Sequence, residues 1–454
     1  MKTMIAKSVE KLKRELEEFF SAENKSVDEA ERYFTERLSE TVTGLLAAYY
    51  ETLDAKLLAD KAGRKVAGMT VERRREPRQI LTRLGMVEYK RTYYAEKDGT
   101  YSHPVDVVAG VERYQRVSGG VSLGLVEAAC EMSYAKSSRV VTGGQVSRQT
   151  VLHKIRRAQA EEEPRVERRH VPVIHIDADE EHVKLQNGNS RIVPLISVYE
   201  GIERKGKRGV CKNIFHRSRY GEKPERLWEE TLAEVERRYD LEGTKIYLHG
   251  DGAPWIRAGQ EWFPNSEFVL DRYHKNKALR GVVSGIDRKV GCQYEAMLRN
   301  ALNEGDKDFF FSVRDSLLLR WPERKKQILE KTQYLLDHFE AIQIYVKDPE
   351  ATRGGATEPH VSHVLSARLS SRPMAWSEET LRHFVPILAA GRCTLDPQTQ
   401  QIPEVLKKHI EKDPVRPKCV SFALGLPDPD HTVSLPARAG RVTPLFTALR
   451  PFFR

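Results

Sequence analysis

Paired cysteines are missing from this chain. The five it has in 454 residues, Cys130, Cys211, Cys292, Cys393 and Cys419, lie far apart and form no CxxC pair. That argues against a zinc ribbon and against a disulfide-framed scaffold. Long apolar runs are missing too: no stretch of about 18 apolar residues occurs anywhere. The opening MKTMIAKSVEKLKRELEEFF is amphipathic and charged, without the continuous apolar core of a signal peptide. The expectation is a soluble protein of a reducing cytoplasm, with no membrane contact. Net acidity is also absent, since 75 Lys and Arg outnumber 65 Asp and Glu for a formal charge of +10 and a pI near 9.2. A polyanionic partner fits this balance, although basic charge also serves solubility. The length suffices for two to four domains with a substantial core.

The first 70 residues carry Ile5, Val9, Leu12, Leu16 and Phe19 at helical spacing, which predicts an N-terminal helical region. Residues 71–160 begin with β-formers alternating with charges around the turn signal KDG, predicting a basic hairpin. They end in a helix, a Gly-Gly turn and a second helix with Ser147 as candidate N-cap. That shape is similar to a helix-turn-helix and would offer Arg148, Gln149 and His153 to DNA. It is equally the shape of a helix pair in a core. AEEEPRVERRH, 160 to 170, has the composition of a charged linker.

Beyond the linker the pattern changes. Strand-like segments at 171–177, 192–199 and 210–215 predict an antiparallel meander. A helix beginning near Pro224, the strand KIYLHGDGA, a short helical stretch, the strand EFVLDRYHKNKAL and a mostly helical region to about 350 follow. This order predicts an α/β fold, a mixed sheet with helices on its faces and a helical insertion at about 280–350. Acids at strand ends mark where an open sheet collects chemistry. Asp177 closes the first predicted strand, with Asp179 two residues on, and Asp251 lies between two glycines after IYLH. Each also has the plain reading of a turn residue. Facing carboxylates repel unless a proton or a metal compensates, and magnesium is the natural oxygen-bound compensator. Glu358 falls in the first turn of a predicted helix, with Thr357 or Glu358 as cap and Pro359 early in it. The macrodipole alone would favour an acid there. His360 and His363 suggest a metal only weakly.

IHIDADEEHVKLQ, IYLHGDGAPWI, FVLDRYHKNKAL and HVSHVLSARLSSRPMAW together resemble the ISLre-type family of bacterial insertion-sequence transposases, a Mutator-like branch of the DDE enzymes. The likeness runs from about residue 75 to 376 and is strongest from 171 to 372. It implies a ribonuclease-H-like catalytic core over 171–376 and an Asp, Asp, Glu triad that holds two Mg2+ or Mn2+ ions. By its motifs the triad falls on Asp177, Asp251 and Glu358, with Asp179 as runner-up for the first position. Asp271 and His274 match the Asp-x-x-His signature and, with His360, would support the site. The resemblance further implies strand cleavage and strand transfer on double-stranded DNA at the nucleoid, by a homo-oligomer that holds two element ends. Two alternatives remain at this stage: a transposase-derived DNA-binding protein without catalysis, and a nuclease of the same fold that cuts without joining. Residues 377–454, with the tail PLFTALRPFFR, carry no recognisable role.

Overall fold

The computed structural model describes residues 2–21, 26–161, 166–206, 208–395 and 402–411. The chain divides into two compact units. One comprises residues 1–128, 135–151 and 395–454, and the other residues 129–134 and 152–394. The linker expected at 160–170 lies partly, and the tail PLFTALRPFFR wholly, outside the described residues.

In the first unit, helices α1 (Lys2–Ser21), α2 (Val27–Ala59) and α3 (Lys61–Ala67) precede a hairpin of β1 (Thr70–Thr82) and β2 (Gly85–Ala95). Ser26 and Glu29 close a reciprocal capping box at the start of α2, satisfying backbone donors that a helix start leaves open. Leu53 packs with Ile80, Val87, Tyr89 and Val105 in the unit's core. The hairpin turns at Arg83–Leu84, not at KDG. The latter does make a turn, with Gly99 at φ 83° and the Thr100 N–H on Asp98 Oδ1 at 2.9 Å, but it leads from β2 to the short β3 (Tyr101–Ser102). Register shifts between Val71 and Glu76 bulge β1, and Arg73, Arg74 and Arg75 are exposed there. After α4 (Pro104–Val108) come α5 (Gly119–Glu131), α6 (Tyr134–Thr142) and α7 (Arg148–Arg157). There are thus three helices where two were expected. Gly143 and Gly144, both at positive φ, turn the chain into α7, and Ser147 Oγ accepts the Thr150 N–H at 3.1 Å.

The second unit is built on a five-stranded sheet. Its strands are β4 (Val173–Lys184), β5 (Ser190–Tyr199), β6 (Phe215–Ser218), β7 (Lys245–Gly250) and β8 (Ser266–Leu270), in the order β6-β5-β4-β7-β8. The β6-β5 and β5-β4 pairs are antiparallel, whereas β4-β7 and β7-β8 are parallel. The mixed sheet flanked by helices agrees with the α/β expectation. Helix α8 (Pro224–Arg238), with Pro224 in its first turn, crosses over between β6 and β7. Then α9 (Arg272–Val283), α10 (Arg288–Glu304), α11 (Lys307–Arg320), α12 (Lys325–Asp337) and α13 (Phe339–Lys347) form the helical insertion.

One face of the sheet is apolar. Ile174, Ile176 and Ala178 of β4 join Ile196, Val198, Leu248 and Leu270 with Trp228, Leu279, Leu298, Phe310 and Ile328 of the helices. Each such large side chain contributes roughly 1.5–3 kcal/mol on burial. Period-2 alternation sends the intervening residues of β4 to the other face, and these are His175, Asp177 and Asp179. All three are buried. The strand therefore runs through both acids and on to Lys184, and Asp177 lies mid-strand instead of at the predicted end. The chain can carry polar residues there because a second polar layer covers them.

Candidate active site

That layer starts with Tyr199 of β5, whose hydroxyl donates to both oxygens of Asp177 at 3.0 Å and accepts the Gly355 N–H at 2.9 Å. The Ala356 N–H donates to Asp177 Oδ2 at 2.8 Å, and His360 Nδ1 lies 3.1 Å from the same oxygen. Burial opposes ionisation of Asp177, but His360, nearby His249 and Tyr199 outweigh it and hold the carboxyl below its ordinary range. For His360, burial opposes the charge, while Asp177 and Cys211, whose Sγ is 3.4 Å from Nε2, raise it to about 9. The two form a buried carboxylate–imidazolium pair. Next to it His175 Nδ1 is 3.1 Å from His249 Nε2, and His249 Nδ1 is 3.2 Å from the Tyr345 hydroxyl. Burial and the neighbouring His249 push His175 down to about 3, so this pair is neutral. A Tyr199→Phe change removes one donor to Asp177 and strands the Gly355 N–H. The expected cost is about 1–3 kcal/mol, read as a lower urea midpoint with an unchanged slope.

Asp177 is thus enclosed, and the open carboxylates are elsewhere. The register pairs His249 with Asp177 and Gly250 with Leu270. Continued past the strand ends, it sets Asp251 beside Asp179 on one side and Asp271 on the other. Neighbouring strands are about 4.8 Å apart, so three aspartates stand in a row across three parallel strands. Their mutual influence is visible in protonation. Asp179 is pushed up to about 7, mainly by burial, against the pull of the Glu180 N–H and His274, with Asp271 and Asp251 adding to the rise. Burial lifts Tyr334 well above its usual range, and the same three carboxylates lift it further. Its hydroxyl donates to the Asp251 carbonyl at 2.7 Å.

The three are not equivalent. Asp271 caps α9, accepting the Tyr273 and His274 N–H groups at 2.6 and 3.2 Å, and its other oxygen is paired with His274 Nδ1. That pairing outweighs burial and raises His274. Asp179 Oδ1 accepts the Glu180 N–H and Asp251 Oδ1 the Ala253 N–H, both at 2.8 Å. Each leaves its second oxygen without a partner among the described residues.

Glu358 is exposed in α14 (Thr357–Val361), which continues through a π-helical turn, Ser362–Ser366, to Leu369. Neither Thr357 nor Glu358 caps this helix. The cap position is Ala356, whose N–H is taken by Asp177. The segment is tied to β4 twice, by Ala356 on Asp177 and by Ser366 Oγ on Glu181. Glu358 lies between the two ties in sequence, on a helix that packs against β4. Gly354 and Gly355 make this closeness possible. A Cβ at Gly354 would overlap His175 Nδ1 and come within 2.6 Å of His249 Nε2, and Gly355 is at φ 80°.

Among the described residues no three His, Cys, Asp or Glu side chains stand close enough together to hold a metal ion. The donor types nevertheless suit a hard cation: Asp179 and Asp251 each have an open carboxylate oxygen, and the first belongs to a group reluctant to ionise alone. His363 is exposed and shares no such cluster. Arg148, Gln149 and His153 lie on exposed positions of α7. No described helix is long and apolar enough to cross a membrane.

Several site residues have no counterpart in the sequence expectations: Tyr199, Tyr345, His175, His249, Tyr334 and the Gly354–Gly355 pair. A signal for two of them exists. His175 is two residues before Asp177 and His249 two before Asp251, the spacing that puts strand residues on one face.

Comparison with known proteins places these features in a family. A family model described as an uncharacterised protein family, UPF0236, matches residues 21–399. Several UPF0236 proteins of Caldanaerobacter subterraneus subsp. tengcongensis are similar. One is 40% identical over 345 residues, covering 75% of this chain and 72% of the relative. A second is 40% identical over 345 residues, covering 75% and 68%, and a third 40% identical over 343 residues, covering 74% and 72%. With the match spanning the sheet, the row of aspartates and α14, the chain belongs to the uncharacterised protein family UPF0236.

Proposed function

We propose that this chain is a DNA transposase of the DDE class with a ribonuclease-H-like core, acting by divalent-metal-dependent phosphoryl transfer. The observation that carries the reading is the row of Asp179, Asp251 and Asp271 at the ends of parallel strands, with Glu358 on the helix tied to the same strand. An array of this kind has little structural purpose, since uncompensated carboxylates cost stability. Asp179 takes the first position in place of Asp177, whose oxygens are engaged by Tyr199, Ala356 and His360. Asp251 and Glu358 complete the set. Two Mg2+ or Mn2+ ions bound there would supply activation of a water or a DNA 3′-hydroxyl and neutralise charge on the phosphate. Asp271 holds His274 and starts α9 beside the row, and the Asp177–His360 pair fixes the approach of α14, so that Glu358 is positioned by buried neighbours. The name of one relative joins eleven gene designations, as repeated copies of a mobile element would generate.

Exposed Arg73, Arg74 and Arg75 on the hairpin and Arg148, Gln149 and His153 on α7 are the residues proposed for DNA contact, in an assembly that brings two ends together. Incubation with labelled element ends and a target plasmid tests the reading: joined product supports it, cut product alone favours a nuclease, and a shifted complex without cutting favours a DNA-binding derivative. Affinity should also fall steeply with salt, by roughly −0.9 in log–log slope for each phosphate neutralised on duplex DNA. A flat salt response removes the nucleic-acid partner altogether.

A further inference from the structure

At the far end of the α14 segment lies a cavity of about 310 Å³ that the phosphoryl-transfer site does not use. Arg368, at 8% exposure, forms its cationic wall. The guanidinium carbon lies 4.8 Å from the Trp376 ring centre, 5.3 Å from Phe384 and 5.6 Å from Tyr134. Its Nε donates to the Ala129 carbonyl at 2.6 Å, and Nη1 lies 3.6 Å from Met374 Sδ. Among the described residues Arg368 has no carboxylate partner. A buried guanidinium without a counter-ion is costly. A second guanidinium reaches the same space from α7: Arg156 is paired with Glu379 at 2.9 Å and lies 3.4 Å from Ser377 Oγ. Arg156 Nε and the Tyr134 hydroxyl are shielded from solvent without a hydrogen-bond partner.

Two arginines against one glutamate leave the cavity one positive charge in excess. Beside the two guanidiniums its lining includes the apolar side chains of Leu152, Met374 and Trp376. Such a cavity complements a molecule with an anionic end and a flat apolar body. Guanidinium forks match phosphate oxygens, and aromatic side chains receive bases with little sequence preference. We propose that this cavity binds one nucleotide together with its phosphate, the phosphate toward Arg368 and Arg156 and the base against Trp376 and Leu152. Its location suggests where the nucleotide comes from. Arg368 is ten residues beyond Glu358 on largely helical chain, about 15 Å at 1.5 Å per residue. A DNA strand in the acidic site would pass the cavity four or five steps away at about 3.4 Å per step. That DNA source rests on the transposase reading, whereas the nucleotide site itself does not.

The test is calorimetric titration of the full chain with dAMP and with deoxyadenosine. Saturable binding of dAMP is expected, at least tenfold tighter than that of the nucleoside, with the difference lost in Arg368→Met. Tyr134→Phe, which removes one oxygen, should weaken dAMP severalfold with an unchanged melting temperature, so the assignment stays testable if Arg368→Met fails to fold. Absence of saturation by dAMP at millimolar concentration, or equal affinity for nucleoside and nucleotide, overturns the site. A second arm uses duplexes with 2-aminopurine at single positions. A fluorescence rise at one position, competed by dAMP, identifies a nucleotide turned out of DNA, and a flat response with dAMP still bound identifies a free nucleotide. If dAMP binds while element ends are neither bound nor cut, only the transposase reading falls.

Discussion

Replacing Asp179 by asparagine is expected to abolish DNA cleavage and joining and, at pH 8 without divalent metal, to raise the melting temperature. The two effects have one cause. In the folded chain Asp179 is 7% exposed and its carboxyl is pushed up to about 7, first by burial and then by Asp271 and Asp251. A carboxyl whose folded value lies above its unfolded value binds its proton more tightly in the native state. Its ionised form therefore lowers stability, beginning above the unfolded value near 3.9, and the whole penalty is present above about 7. That penalty is on the order of a few kcal/mol. Asparagine has no such penalty, so the gain should be several degrees at pH 8 and vanish near pH 4. Activity should fall by more than about a hundredfold, the upper end of what the loss of an outer-shell partner costs a metal site. Added Mn2+ should raise the melting temperature of the parent chain and not that of Asp179→Asn.

Asp177→Asn should behave in the opposite sense. Its carboxylate answers His360 and receives the Ala356 N–H, and breaking a buried pair by removing one partner costs about 3–5 kcal/mol. The sign of the pH dependence follows from both members. Asp177, held low, contributes above the ordinary carboxylate range, and His360, raised to about 9, contributes fully below about 6.5 and loses its part as pH rises through 9. The penalty should thus be widest between about pH 5 and 7. A melting temperature that rises in Asp177→Asn and falls in Asp179→Asn at pH 8 would reverse the assignment of the two acids.

Residues two apart on a strand share a face, and for that reason the sequence could not separate these acids. Period-2 alternation identifies the face, the core side through Ile174, Ile176 and Ala178 and the polar side through His175, Asp177 and Asp179. Which acid is enclosed depends on what covers each, and the covering groups come from Tyr199 in β5 and from Gly355, Ala356 and His360, more than 175 residues downstream of Asp177. The mixed sheet was legible because strand-like segments alternate with helical ones in an order that few architectures accommodate. The row of aspartates was half legible: the motif around Asp251 and the Asp271–His274 spacing were visible, but their alignment with Asp179 is a matter of register, fixed by strand pairing. The extra helix α6 has no signal of its own in the sequence, because Met132 and Ser133, which separate it from α5, are not strong helix breakers. The basic hairpin turned at Arg83–Leu84 because Gly85, at φ 120°, supplies the conformation there.

Gly354→Ala carries the largest expected structural effect, since it drives a methyl group into the layer that positions everything else. The added carbon would overlap the His175 ring and crowd His249 Nε2 at 2.6 Å. Neither ring can yield, because both histidines are fully buried, His175 stacked between Tyr199 and Tyr247 and His249 beside Tyr345. The chain must then lift away at Gly354. This separates the Gly355 N–H from Tyr199 and the Ala356 N–H from Asp177, and Glu358 moves with the loop. Overpacking of a tight core costs about 1–3 kcal/mol or more, and each buried group left unpaired adds roughly 1–3 kcal/mol. The melting temperature should fall by many degrees, and any folded fraction should bind DNA while cutting it poorly. Gly44→Ala is the control. Gly44 lies within α2 and a Cβ there would meet nothing within 4 Å, so alanine should stabilise by about 0.5–1 kcal/mol through helix propensity alone. Equal melting temperatures for Gly354→Ala and the parent chain would mean that the Gly354 loop does not rest on the two histidines, and the positioning of Glu358 through that loop would then have to be abandoned.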